Sequence, residues 1–372
     1  METSVTKVGY YAWDTAMREI GDAWRQLIRD KGYNPSLHPD WLGATISAWG
    51  LRESTQVAVI RGRGDDLTVV PFFLQKQNLL RVPLQAVNLC TNIVSYHNQI
   101  VSSGDTAASL SALFADRAFP RWDVFRLSQV PVDGETASAV RGLDRAVVAG
   151  MSTRSGENSP YLRVAGTWQE YLATRPKKLR ANISRSQRLM RDAGETGLVW
   201  YARDADWRQL LREMLEVEAR SWKAAAGVAI VAGSAQYDYY ERLLPWLASD
   251  GLMANVLYVK ERPVAYTLCA TWQGWVGQLK TSYVEGLGDA GSRVIHCSLE
   301  RAFDEHQNEY DFLGDTAPHK MRWAHDVRAH EDLWVFCAHT KGRLLRLMKS
   351  AADRWHARSV ARPDQPASAP SE

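Results

Sequence analysis

The sequence predicts an α/β protein with mixed, α+β-like sheets, built as two halves of similar plan. Two observations carry this. The 372 residues are enough for two domains. Each half also runs through helices, an antiparallel meander, and a helix crossing over to a further strand, a weak repeat of architecture without a repeat of sequence. A Ser-, Gly- and Asn-rich stretch, "MSTRSGENSP" (151–160), separates the halves. The expected divisions are 1–150, 151–340, a basic amphipathic helix at 341–358 and a Pro-, Ala- and Ser-rich tail at 359–372 expected to be disordered.

In the first half, apolar spacing predicts helices over Trp13 to Lys31 and Pro39 to Trp49, then strands over Gln56 to Arg61, Leu67 to Gln75 and Leu84 to Cys90. A helix from Thr106 to Arg117, the strand "RWDVFRLSQV" and a helix from Glu135 to Arg145 complete it. The second half opens with one long helix, "TWQEYLATRPKKLRANISRSQRLMRDAG", and the strand "LVWYA". Helices over Asp206 to Lys223 and Gln236 to Ala248 lead into three strands, "LMANVLYVK", "RPVAYTLCATW" and "WVGQLKTSY", the first two joined by a tight "ERP" turn. A helix over Ser292 to Glu305, the strand Glu309 to Leu313, a short helix and the strand "DLWVFC" follow. The closing helix carries Leu344, Met348, Ala351 and Trp355 on one stripe, expected to dock on its own domain, with a membrane surface or a partner as the alternative.

Composition narrows the class. Hydrophobic residues make up 45% and net charge is +3, which is globular and not strongly polarised. Cys90, Cys269, Cys297 and Cys337 have no C-x-x-C spacing and sit in or beside apolar runs, which suits reduced thiols and a cytoplasmic setting. The N-terminus lacks the basic start and apolar core of a signal peptide, and no apolar run is long enough to span a membrane. The tryptophans, 15 in all, read mainly as core, with aromatic walls for a sugar or acyl chain as the alternative.

The stretch "YVEGLGDAGSRVIHCSLERAFDEHQNEYDFLGD" holds Gly286, Gly288 and Gly291 in G-x-G-x-x-G spacing, with Asp311 a crossover later. A dinucleotide site would need a preceding strand that is apolar on both faces. Here Gln278, Lys280 and Ser282 alternate with Leu279 and Thr281, as in a strand lining a cleft, and too little chain follows to complete a dinucleotide domain. The glycines suit a loop that brings backbone N–H groups and a helix N-terminus close to phosphate.

"EARSWKAAAG", "ERPVAYTLC", "KTSYVEGLGDAGSRVI" and "YDFLGDTAPHKMRWA", in this order, resemble the successive signatures of the CelD-type, Fem-related branch of the GNAT acyltransferases. "SPYLRVAGTWQEYLATRPKKLRANISRSQRLM" resembles the entry to the same domain, and the set spans about 159 to 323. The resemblance implies tandem GNAT-like domains, with the second better supported. It also implies acyl transfer from acetyl-CoA or another acyl-CoA to an amine or hydroxyl of a small molecule or an envelope or exopolysaccharide sugar. Gly286, Gly288, Gly291, Ser292 and Arg293 would then cradle the pyrophosphate. Ala290 stands where the branch has proline, and the usual Gln or Arg before G-x-G or G-x-A is missing. Fem-type relatives use the fold with aminoacyl-tRNA in place of CoA, so that donor stays open beside acyl-CoA, as does a non-catalytic binding protein.

Acyl transfer needs donors for the carbonyl oxygen, a base for the acceptor proton and an acid for the leaving group. In a GNAT sheet the strand before the glycine loop and the strand after the crossover helix splay apart around the acyl group. This implies catalytic roles for Asp311, Asp315, His319 and Lys320, and substrate contacts for Lys280, Tyr283, Glu218, Trp222 and Lys223, with His97 reaching in from the first half. The helix over 175–191, "RPKKLRANISRSQRLMR", carries seven Lys or Arg, no acid and a narrow apolar stripe of Leu179, Ile183 and Met190. It is either a solvated face or a contact for the phosphates of tRNA, a nucleotide or an acidic glycan.

Overall fold

The computed structural model describes residues 7–90, 96–192, 196–287 and 289–360. Gly288 and positions 361–372 of the expected tail lie outside the described residues. The strands are β1 (Lys7–Ala12), β2 (Thr55–Arg61), β3 (Leu67–Leu79), β4 (Val82–Leu89), β5 (Val101–Ser102), β6 (Val124–Pro131), β7 (Val148–Ser155), β8 (Ser159–Arg163), β9 (Thr196–Tyr201), β10 (Leu252–Val259), β11 (Arg262–Trp272), β12 (Trp275–Tyr283), β13 (Glu309–Asp311), β14 (Asp326–Arg328) and β15 (His330–Cys337). The helices are α1 (Trp13–Lys31), α2 (Pro39–Ala48), α3 (Thr106–Ala115), α4 (Glu135–Arg141), α5 (Trp168–Ala173), α6 (Lys177–Asp192), α7 (Trp207–Ala219), α8 (Trp222–Ala225), α9 (Ala235–Asp250), α10 (Ala290–Asp304), α11 (Pro318–Met321) and α12 (Thr340–Val360).

The fold is mixed α/β with two sheets, ordered β1-β2-β3-β4-β6-β15-β7 and β9-β10-β11-β12-β13-β8-β14. The orders correspond position by position. Each has an antiparallel meander, then a parallel pair (β4 with β6, β12 with β13), then an antiparallel strand and an edge strand. The penultimate strand is exchanged in both: β8 leaves β7 to enter the second sheet, and β15 leaves β14 to enter the first. Sheet membership therefore does not follow the expected boundaries, because "DLWVFC" (332–337), read as the end of the second half, pairs with β6 and β7 of the first sheet.

Local chemistry explains other departures. The long helix breaks into α5 and α6, since Pro176 lacks the N–H a helix interior requires and its ring crowds the preceding turn. The stretch 151–160 is no linker: Met151–Ser155 belong to β7 and Ser159–Pro160 to β8, with only 156–158 between. Ser and Thr are tolerated there because β7 is an edge strand with one face wet. Among the described side chains of α12 Leu345 is buried while Leu344 is 53% exposed, so the apolar stripe is rotated from the expected one at this end; the side chain of Trp355 lies outside the described residues. The helix packs on β7 and β15, with Ser152 donating to Asp353 at 2.7 Å. The "ERP" turn is as expected, with Lys260 and Glu261 both at positive φ (49° and 61°) between β10 and β11.

The second sheet has an apolar layer on each face. On one, α7 and α9 pack over Ala254, Val256, Tyr266 and Leu268. On the other, Ile295, Leu299 and Phe303 of α10 join Trp168 of α5 and Leu179 of α6 over Cys269, Val276 and Tyr310.

Candidate functional site

The site begins where β12 and β13 part. They run parallel for three residue pairs, Trp275 with Glu309, Val276 with Tyr310 and Gly277 with Asp311. Beyond Gly277, β12 continues against β11 as far as Tyr283, whereas β13 ends. At this fork β12 carries a β-bulge: Gln278 pairs with Cys269 but Lys280 pairs with Leu268, leaving Leu279 extra. The bulge inverts the expected alternation. Gln278 turns toward α10 and accepts from the Tyr310 hydroxyl at 2.9 Å, which also lies 2.9 Å from Ser298 Oγ. Lys280 and Ser282 face α7 and α9 instead, so the three polar residues do not share one side.

The glycine loop leads into the first turn of α10. Gly286 adopts φ of +82°, open to glycine without strain. Gly291 has a different use: a Cβ there would overlap the ring of Tyr283, so the missing side chain lets the end of β12 lie against the helix start. A pocket at this end is lined by Ser292, Arg293 and His296 of α10, Asn182 of α6, and Arg322 and Trp323. The early N–H groups of a helix have no partner within it and its dipole is positive here, so this end suits an anion. Arg293 hydrogen-bonds His296 Nδ1 at 3.0 Å. Burial first, and the Arg293 charge second, hold His296 down to about 4, so its ring is neutral at pH 7. The charged groups lining the pocket are then Arg293 and Arg322, with the carboxylate of Asp289, the residue before α10, beside them. The basic helix α6 borders this pocket, its apolar side set by buried Leu179 and half-buried Ile183, its Lys177, Lys178, Arg180, Arg185 and Arg188 exposed. The side chain of Met190, expected on the same stripe, lies outside the described residues.

On the opposite face of β12 the structure gathers Glu218, Lys223 and Lys280, which the sequence places far apart. Glu218 is fully buried and accepts from the Tyr266 hydroxyl (2.8 Å), the Ile230 amide (3.1 Å) and Lys223 (3.3 Å). Lys280 Nζ stands 3.8 Å from its other oxygen and donates to Gln236 at 3.2 Å. Burial, then the neighbouring Lys223 charge, lowers Lys280 to about 8, with Glu218 opposing. Burial opposes ionisation of Glu218 too, but the two lysines and the Tyr266 hydrogen bond keep it below the usual carboxylate range. Trp222 points outward at 44% exposure, beside the cluster in sequence but not part of its hydrogen bonding.

The remaining expected residues divide. Asp311 is fully buried, its carboxylate accepting from Ser159 Oγ (2.5 Å), the Leu313 amide (2.8 Å) and Arg328 (2.7 Å), with His97 Nε2 at 3.0 Å. Burial works against its charge, but His97, Arg328 and Ser159 outweigh that and hold it below the usual carboxylate range. His97 Nδ1 lies 2.8 Å from His330 Nε2. Burial, then His97, lowers His330 to about 4, so the His330 ring is neutral at pH 7. His97 donates from Nε2 to the Asp311 carboxylate and shares its Nδ1 hydrogen bond with His330 Nε2. Ser159 and Arg328 face each other across the β8–β14 pair, and His330 follows at once, so this network pins both exchanged strands where they change sheets. Asp315 and Lys320 pair with each other at 3.0 Å, Lys320 also donating to the Leu313 carbonyl at 2.7 Å. His319, on α11, is exposed and makes no hydrogen bond among the described residues. Asp311 and His97 thus do not join Asp315, His319 and Lys320 in one cluster.

Sequence reading missed Asn182, Arg322, Gln236, Ser298 and the Ser159–Arg328–His330 set. The polar alternation along β12 pointed to the cluster on its α7 face, but nothing local marks a partner delivered by strand exchange.

With the fork and the helix start described, comparison with known proteins adds a family match over part of the chain. Residues 177–321 match the family model of the acetyltransferase (GNAT) domain. That GNAT domain indicates a transferase, and the match runs from α6 through the fork to α11. A search of curated proteins gave no significant match. Among solved structures, a conserved protein of unknown function from Bacteroides thetaiotaomicron is similar over 89% of this chain and 100% of its own, at 14% identity and a TM-score of 0.57. FemX is similar over 82% and 92% (11% identity, TM-score 0.53), and L-PGS from Bacillus licheniformis over 88% and 96% (11%, 0.51). At such identities the likeness is one of fold, and it extends across both sheets.

Proposed function

We propose that the protein transfers an acyl group from an acyl-CoA, acetyl-CoA included, to an amine or hydroxyl of a small molecule or an envelope sugar, in the manner the CelD-type resemblance implies. The observation that carries this reading is the fork: a parallel pair that parts at a β-bulge, with a helix between whose positive end opens on a pocket bordered by Arg293 and Arg322. The residues present fit a pyrophosphate. Gly286 lets the loop turn with nothing over it among the described residues, the first turn of α10 supplies N–H donors, and the Arg293 and Arg322 guanidinium groups outnumber the one carboxylate, Asp289, in the lining. The donor supplies a thioester carbonyl that an acceptor nitrogen or oxygen attacks. Around it Gln278 and Tyr310 line the α10 side of the fork, and Lys280 and Lys223 the other. Of the expected acid and base groups, Asp311 is occupied in the strand network and Asp315 pairs with Lys320, so the acceptor proton is assigned to His319. Partial shielding of this surface ring from water, with the Lys320 and Arg322 charges beside it, keeps it below its ordinary value and hence neutral at pH 7.

A second reading, transfer from aminoacyl-tRNA, is favoured by one observation: α6, which lines the same pocket through Leu179, Asn182 and Ile183, exposes Lys177, Lys178, Arg180, Arg185 and Arg188. Thermal unfolding of the full chain separates the two. CoA at 100 times its dissociation constant raises stability by about 2.7 kcal/mol, and the rise disappears in Arg293→Gln/Arg322→Gln. Stabilisation by charged tRNA and none by CoA contradicts the proposal.

A further inference from the structure

The Glu218 cluster is not charge-balanced. Two ammonium groups, Lys223 and Lys280, share one carboxylate, and their other partners, the Thr281 carbonyl (2.6 Å) and the Gln236 side chain (3.2 Å), are neutral. Buried ion clusters that serve only the fold are paired, because an unmatched charge out of water is costly. Both lysine side chains keep 14% exposure, so the surplus positive charge reaches the surface. Two residues along β12 and on the same face as Lys280, Ser282 is 1% exposed and its hydroxyl has no hydrogen-bond partner among the described residues. A surplus of one positive charge, an open approach and an unanswered hydroxyl describe one half of a binding site.

We propose that the acceptor is an amine bearing a carboxylate, and that this carboxylate docks on Lys280 and Lys223 with Ser282 as a further donor. The assignment rests on the acyl-transfer reading above and names its acceptor class. A singly charged group balances the cluster, whereas a phosphomonoester, carrying about −1.5 to −2 at pH 7, overshoots it. The carboxylate would sit across β12 from the α10 pocket, so donor and acceptor approach the fork from opposite faces. The amine nitrogen forms a bond to the thioester carbon, the carbon–sulfur bond breaks, and CoA leaves as the thiolate. The proton lost by the amine is passed to that sulfur, giving an amide and free CoA without any oxidant or reductant.

The test is nuclear magnetic resonance of the full chain labelled with ¹³C at lysine Cε, the Lys280 signal being assigned with Lys280→Met. The probes are N-acetylglycine, a product-like carboxylate, its neutral amide N-acetylglycinamide, and methyl phosphate, a phosphomonoester. N-acetylglycine is expected to shift the Lys280 signal saturably and to raise its titration midpoint from about 8 by about one unit, a tenfold gain in proton affinity. The neutral amide leaves the signal in place. Lys223→Met is expected to weaken carboxylate binding by about tenfold or more, and Ser282→Ala, which keeps every charge, by a few fold. An unmoved Lys280 signal with N-acetylglycine, an equal response to the neutral amide, or a response to methyl phosphate alone overturns the proposal. CoA binding measured in the same samples separates the two readings. If CoA binds and carboxylates do not, only the acceptor assignment fails. If carboxylates bind and CoA does not, the acyl-CoA reading fails and the anion site stands.

Discussion

His296 and His330 show how position sets the chemistry of a residue. Both are buried, both neighbour a positive or protonatable group, and both are held down to about 4 from an ordinary value near 6.5. The unfolded chain takes up a proton on each as pH falls below 6.5, while the native protein does not. Native stability is therefore intact above pH 6.5 and is lost progressively toward pH 4, by something on the order of 3 kcal/mol for each ring. Asp311 and Asp315, held below the carboxylate range, add their loss only at lower pH. Urea midpoints at pH 7, 5.5 and 4.5 check this, and His296→Phe should flatten part of the slope. Stability unchanged or increasing from pH 7 to 4.5 would contradict the assignment. Such roles were half legible in the sequence. Glu218, Lys223 and Lys280 were identified by resemblance, and the structure unites them. His97 and Asp311 were also singled out, but their burial and mutual bond depend on a contact between halves that no local pattern encodes.

At the scale of elements, periodicity located nearly every helix and strand, because amphipathic spacing is written locally. What escaped it were features decided by a single residue: the break at Pro176, and the bulge at Leu279 that moves Gln278 to the opposite face from Lys280. Alternation assumes an unbroken pleat, and one extra residue reverses everything beyond it. Gly291 belongs to the same category, since its spacing suggested phosphate but its contact is the Tyr283 ring. Gly291→Val should force that ring away and lower stability by about 1–3 kcal/mol, with CoA affinity falling as the helix start shifts. Tyr283→Ala in the same chain should recover most of the stability. Calorimetry on the single and double variants decides the matter, and a double variant no more stable than Gly291→Val would show that the ring is not the obstacle.

The whole molecule is two sheets of matched order that trade one strand each. The repeated plan was visible in the order of elements, but the exchange was not, because pairing partners far apart in sequence leave no local trace. Neither sheet has all its strands without the other's segment of chain, and Asp311, His97, Arg328 and His330 fasten the two crossings. His97→Ala should reduce the stability of the entire chain by roughly 1–3 kcal/mol in one cooperative transition, measured by urea unfolding followed through tryptophan fluorescence. CoA affinity should not change, since the network lies apart from the start of α10. Two separated transitions, or unchanged stability, would mean that the halves are not fastened there. Within this frame the second sheet presents the fork, and the donor reading depends on what occupies the end of α10. The most direct measurement is a crystal structure of the full chain grown with CoA. Electron density for a pyrophosphate within hydrogen-bond distance of the Ser292 backbone amide and the Arg293 guanidinium, with Arg322 turned toward it, is the result expected. Density for CoA elsewhere on the chain, with the end of α10 unoccupied, would contradict the account.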